Sequence, residues 1–165
     1  MTFVVPFDGS ELARAALARA IRFAAALEED VLAVSVVPKE NASYARERGW
    51  LDEDESFDVD AVVARLHRQV TEVAPNADYR HLVVAKYAPP GQIANRIREV
   101  ARGEEASMVF VGSENAGRLI TSLSSVGKRV ATGDAYDVVI VRHAEPLDVD
   151  GLDDRDTESD DRVFE

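Results

Sequence analysis

The sequence predicts an α/β fold, a single doubly wound and mainly parallel five-stranded sheet with helices on both faces. Three observations predict it. Short apolar runs alternate with amphipathic helical segments along the chain. Each run is nearly unbroken in apolar character, as in parallel strands covered on both faces. Right-handed crossovers between such strands leave a doubly wound, Rossmann-like arrangement as the permitted topology. The 165 residues, 46% of them hydrophobic, can bury one core and fit one domain. That domain is expected over residues 1–144, with a flexible acidic tail over 145–165.

The elements follow in order. Thr2–Phe7 reads as a buried strand, and Ser10 is a good N-cap for the helix after it. Leu12, Ala16, Ala20, Phe23 and Leu27 recur at helical spacing, with Arg14, Arg19 and Arg22 off the stripe. Val31–Val37 is a second strand, ended by Pro38. Residues 39–58 are polar, acidic and aromatic, with Gly49-Trp50 in the middle, and read as a long loop with one short helical turn. Val59, Val62, Val63, Leu66, Val70 and Val73 form a second amphipathic helix, stopped near Pro75-Asn76. Tyr79–Lys86 is a third strand. Pro89-Pro90-Gly91 turns into a helix carrying Ile93, Ile97, Val100 and Ala101 inward and ending at Gly103. Ser107–Val111 is a fourth strand, Ser124–Thr132 a fourth helix ended near Gly133, and Val138–Val141 a fifth strand.

Composition narrows the function classes. The chain has no cysteine, which removes disulfides, thiol catalysis and Cys-ligated zinc. No apolar run approaches the ~20 residues of a membrane span, and no basic-then-apolar leader opens the chain. A cytoplasmic protein without a membrane partner is expected. The net charge is −12. Residues 145–165 hold ten carboxylates against two arginines, so the tail carries most of it. No basic stripe exists to meet a nucleic-acid backbone, so no nucleic-acid partner is expected. Only Lys39, Lys86 and Lys128 are lysines among 19 basic residues. An acid-rich, lysine-poor surface suits a halophilic source, in which salt screens the self-repulsion. A GC-rich genome explains the same bias.

Two strand-to-helix turns carry the chemistry. Val4-Val5-Pro6-Phe7-Asp8-Gly9-Ser10 leaves the first strand. Val109–Gly117 leaves the fourth and leads to Ser124-Ser125-Val126. In a doubly wound sheet both endings lie at the crevice where strand order reverses. A glycine-spaced loop before a helix opened by hydroxyls makes a cup of unpartnered N–H groups suited to phosphate. Each residue also has a plain structural reading. Asp8 is equally a capping residue for the first helix, and Ser124-Ser125 a simple N-cap. The spacing from Gly112 to Gly117 imitates a phosphate loop, but Arg118 stands where Lys-Ser/Thr belongs. His67, His81 and His143 are too scattered for metal ligation. Ser10 sits in no nucleophile elbow. The carboxylates of residues 52–60 lack the glycine and spacing of a calcium loop. Trp50 reads as a lid or an interface anchor.

Residues 2–142 resemble the universal stress protein family. Val4–Ser10 is close to its V-P-x-D-G-S opening, Gly91–Gly112 to its third helix and fourth strand, and Asp137–Arg142 to its last strand. The family signature is a glycine, two residues, a second glycine, nine residues, then Gly-Ser or Gly-Thr. It marks the members that bind ATP or a similar adenine nucleotide. Here Gly112 supplies the first glycine, Asn115 stands for the second, and Ser124-Ser125 takes the place of the last pair after a loop one residue short. Glu114 stands where the family often has arginine. The resemblance implies a regulatory domain that binds ATP or AMP, with or without magnesium, and has at most weak ATPase activity. It assigns Asp8 to ribose or adenine and the Val36 backbone to adenine. It assigns Gly112, Asn115, Gly117, Ser124, Ser125 and Val126 to phosphate. It also implies a homodimer joined through Val138, Val139, Ile140 and Val141. The departures favour an alternative, a dimeric stress or scaffold protein that binds no nucleotide.

Overall fold

Period-two alternation in the first strand decides how the layers assemble. A computed structural model describes residues 1–116 and 136–145. In β1 (Thr2–Pro6), Phe3 and Val5 face one side of the sheet, together with Phe7 just beyond it, and Val4 faces the other. Phe3 and Val5 pack with α1 (Glu11–Leu27) and α3 (Val59–Val73). Val4 packs with Leu32 and Val34 of β2 (Asp30–Pro38) against α4 (Pro90–Gly103). Helices therefore cover both faces. The remaining elements are α2 (Ala42–Glu47), β3 (Asp78–Val84), β4 (Met108–Gly112) and β5 (Asp137–Val141). The five strands are all parallel in the order β3-β2-β1-β4-β5. The order reverses between β1 and β4, with Phe3 opposite Met108 and Val4 opposite Val109. The expected fold class is the observed one.

Ser10 caps α1 as expected, its hydroxyl accepting from the Ala13 N–H at 3.2 Å. The buried line of α1 keeps the expected Ala16 and Ala20 but is otherwise shifted. It runs through Ala13, Ala16, Leu17, Ala20 and Ala24. Leu27 is 57% exposed and Phe23 43% exposed, although the Phe23 ring lies 5.8 Å from that of Phe110. The physical reason is size. Alanines let the helix axis approach the sheet closely, so the bulkier residues of the expected stripe fall to its margin. β3 also ends earlier than expected, at Val84, where the Lys39 N–H makes the last rung to the Val84 carbonyl. Ala85–Ala88 then turn, the Ala88 N–H bonding to the Ala85 carbonyl. β3 is an edge strand, and Arg80, His81 and Val83 are exposed along it. The helix expected over Ser124–Thr132 lies outside the described residues, as does the tail from residue 146. No helix among the described residues is long and apolar enough to cross a membrane.

Candidate functional site

Asp8 organises the turn after β1. Its Oδ1 accepts the Ser10 N–H at 3.0 Å, and its Oδ2 accepts from the Asn115 amide Nδ2 at 3.1 Å. Its backbone carbonyl accepts the Trp50 Nε1–H at 2.6 Å. The carboxylate that braces the start of α1, as the capping reading has it, also reaches across the strand reversal to Asn115. Gly9 sits in backbone that favours glycine. Its φ is +80°, and an added Cβ would lie 2.5 Å from the Gln69 Oε1.

The turn after β4 departs from the expected glycine-spaced loop. Ser113–Ala116 are already helical, so the chain passes from strand to helix without an open cup at these residues. Asn115 has none of glycine's freedom, and Ser113 and Glu114 suit a helix start. Gly112 is explained by packing, because a Cβ there would come within 2.9 Å of the Leu12 Cβ and 3.2 Å of the Leu12 carbonyl carbon. Gly117, Ser124, Ser125 and Val126 lie outside the described residues.

A cleft of about 620 Å³, counted out to the solvent at its mouth, opens beyond the carboxyl ends of the central strands. Val34 and Val36 form part of its floor. Val36 lies past the last rung on the β1 side, where the Phe7 N–H bonds to the Val34 carbonyl at 2.8 Å. Strand alternation turns the Val36 N–H and carbonyl the same way as those of Val34, into the cleft. Ile93, Ala94 and Ile97 of α4 line one wall. Tyr44, Arg48 and Trp50 line another. A polar vestibule adjoins this apolar slot, bounded by Asp8, Ser10, Glu47, Arg48, Glu114 and Asn115. Asp8, Arg48 and Asn115 border both spaces.

The residues missed from sequence come from the stretch expected to be mostly loop. α2 is capped by Asn41, whose Oδ1 accepts the Tyr44 N–H at 3.1 Å. Gly49 turns with φ of +72° and lets Trp50 fold inward to 2% exposure. The Tyr44 and Trp50 rings lie 5.6 Å apart, and the Arg48 guanidinium carbon sits 3.4 Å from the Tyr44 ring centroid. This is close stacking of a cation on an aromatic face. A tyrosine, an arginine and the chain's single tryptophan within seven residues were the available signal. Among the described residues, no three His, Cys, Asp or Glu side chains gather into a metal site.

The comparisons with known proteins agree with this architecture. A universal stress protein in complex with cAMP is 25% identical, with 88% of this chain and 98% of that one covered and a TM-score of 0.50. A universal stress family protein from Burkholderia pseudomallei is 21% identical, covering 86% and 96%, with a TM-score of 0.53. A universal stress protein from Archaeoglobus fulgidus is 16% identical, covering 86% and 98%, with a TM-score of 0.50. No curated protein matches the sequence significantly. The profile of the Universal stress protein family matches residues 1–142, and the chain belongs to that family.

Proposed function

We propose that this chain is a regulatory domain that binds an adenine nucleotide, AMP or ATP, without strong turnover. The observation that carries the reading is the apolar slot at the β1/β4 reversal, with the Val36 backbone facing it and the Asp8 carboxylate at its edge. A flat base needs apolar walls and a few placed polar groups. Val34, Ile93, Ala94 and Ile97 supply the walls, and the Val36 N–H and carbonyl offer a donor and an acceptor for the base edge. Asp8 is placed for a ribose hydroxyl. The relative solved with cAMP supports the class of ligand. Gly112, Asn115, Gly117, Ser124, Ser125 and Val126 remain the proposed phosphate side, with magnesium accompanying a triphosphate. No residue at the slot reads as a general base beside a held metal, so we assign no catalytic residue. From the acid-rich, lysine-poor composition we further propose a halophilic archaeal source and a cytoplasmic location, with no nucleic-acid or membrane partner.

Calorimetric titration of the full chain with adenosine, AMP, cAMP and ATP tests the proposal. Saturable binding that weakens in Asp8→Ala supports it. No heat from any of the four at millimolar concentration, with the fold intact by circular dichroism, rules it out. The alternative, a dimeric scaffold without nucleotide, draws on one specific observation. The Asn115 side chain bonds to Asp8 and occupies part of the passage a phosphate chain would follow.

A further inference from the structure

Arg48 stands out among the cations of the described residues. Its guanidinium makes no ion pair with any described carboxylate, although Glu47 and Glu114 border the same vestibule. Its guanidinium carbon lies 3.4 Å from the Tyr44 ring centroid and 6.0 Å from that of Trp50. An arginine held over an aromatic face can still donate its N–H groups to a planar or tetrahedral oxyanion. Arg48 is half-buried, and it borders both the apolar slot and the vestibule. A guanidinium at that junction meets whatever leaves the slot on the sugar side.

The vestibule is otherwise acidic. Asp8, Glu47 and Glu114 supply three carboxylates against the one guanidinium. An arginine fork matches the oxygens of one phosphate and can bind it bidentately. A second and third phosphate would extend past it among carboxylates with no further cation from these walls. Like charges at such distances oppose binding, and the opposition fades as salt screens them.

We infer that Arg48 is a phosphate-binding residue of this cleft, and that the cleft selects an adenine ligand with a single phosphate, AMP or a cyclic monophosphate, over ATP. The inference rests on the proposed nucleotide function. It adds a phosphate contact from the segment after α2 to those proposed in the turn after β4.

The test compares adenosine, AMP, ADP and ATP on the full chain by calorimetry at low and high salt. AMP is expected to bind about tenfold more tightly than ATP at low ionic strength, with the gap closing in molar KCl. Arg48→Gln should weaken AMP about tenfold and adenosine by much less. The double variant Glu47→Gln, Glu114→Gln should raise the affinity for ATP and leave adenosine unchanged. ATP binding as tightly as AMP overturns the inference, and so does an Arg48→Gln loss equal for adenosine and AMP. Those results leave the nucleotide function standing. Failure of every ligand, adenosine included, overturns the nucleotide function itself.

Discussion

Single residues carry strain and unmet polarity that a measurement can expose. Glu28 ends α1 with φ of 56° and ψ of 44°, a left-handed conformation that costs a non-glycine residue about 1–2 kcal/mol. Glycine has no such cost but loses more chain entropy on folding. Glu28→Gly should therefore raise stability by about 0.5–1 kcal/mol, read from urea midpoints with an unchanged slope. Tyr79 makes a second case. Its ring stacks on His67 with centroids 4.8 Å apart, and its buried hydroxyl has no protein partner among the described residues. Burial raises its pKa above 10, because the phenolate would lose its hydration. The Ser35 hydroxyl opposes that shift weakly, since it is committed to donating to the Phe7 carbonyl at 2.6 Å. A folded pKa above the unfolded one gives stability that is complete below the unfolded pKa and declines as pH rises through the folded pKa. The wild type should lose stability above about pH 10, and Tyr79→Phe should flatten that part of the pH profile. At neutral pH the same variant should be neutral or slightly stabilising, because it deletes an unpaired buried hydroxyl.

At the scale of elements, the segment from α2 to Trp50 closes one side of the cleft and holds the β1 turn. Trp50→Phe keeps an aromatic ring but removes the Nε1–H that bonds to the Asp8 carbonyl. The carbonyl is left without that donor, at a cost of about 1–3 kcal/mol in thermal or urea melts. Nucleotide affinity should fall with it, because Asp8 loses an anchor. Trp50 is also the chain's single tryptophan, so wild-type emission should shift when a ligand fills the slot. This segment shows where sequence reading fell short. The strands were legible because central strands such as β2 are apolar at almost every position. Ser10 and Pro90 marked helix starts through local chemistry that needs no tertiary context. Asp8 was placed at the crevice by topology, and Val36 by the family resemblance. Arg48 and Tyr44 were not, because nothing local says that a polar stretch folds back over a cleft. Gly112 is held to glycine by its packing on Leu12, a constraint that looks the same in sequence as one set by a ligand. The α1 stripe slipped because helical periodicity does not distinguish a line of alanines in close contact from a line of larger residues beside it.

For the whole molecule, charge and the open sheet edge set the behaviour. With 31 acidic and 19 basic residues, self-repulsion opposes the compact state in dilute buffer. Raising KCl from 0.1 M to 1 M shortens the Debye length from about 10 Å to about 3 Å. Tm should rise by several degrees over that range, and a flat or falling profile would contradict the reading of the surface as salt-adapted. The edge concerns assembly. β5 is last in the strand order, so its outer N–H and carbonyl groups have no strand beside them among the described residues. Arg19 on α1 donates to the carbonyls of His143 and Glu145 at 2.7 and 3.0 Å, fastening the chain just after β5. That attachment leaves the edge of β5 itself uncovered by the residues it holds. An apolar strand so placed is a template for pairing with another copy. We propose the homodimer through Val138, Val139, Ile140 and Val141 on this ground. Static light scattering at micromolar concentration should give the mass of two chains, and a stable monomer would refute it. Val139 packs partly on the α1 side of the sheet, and Val138 and Ile140 pack on the other. A Val139→Lys substitution therefore tests edge and core together. It should shift the mass toward one chain and lower the melt, whereas a lowered melt with the mass of two chains would place the interface elsewhere.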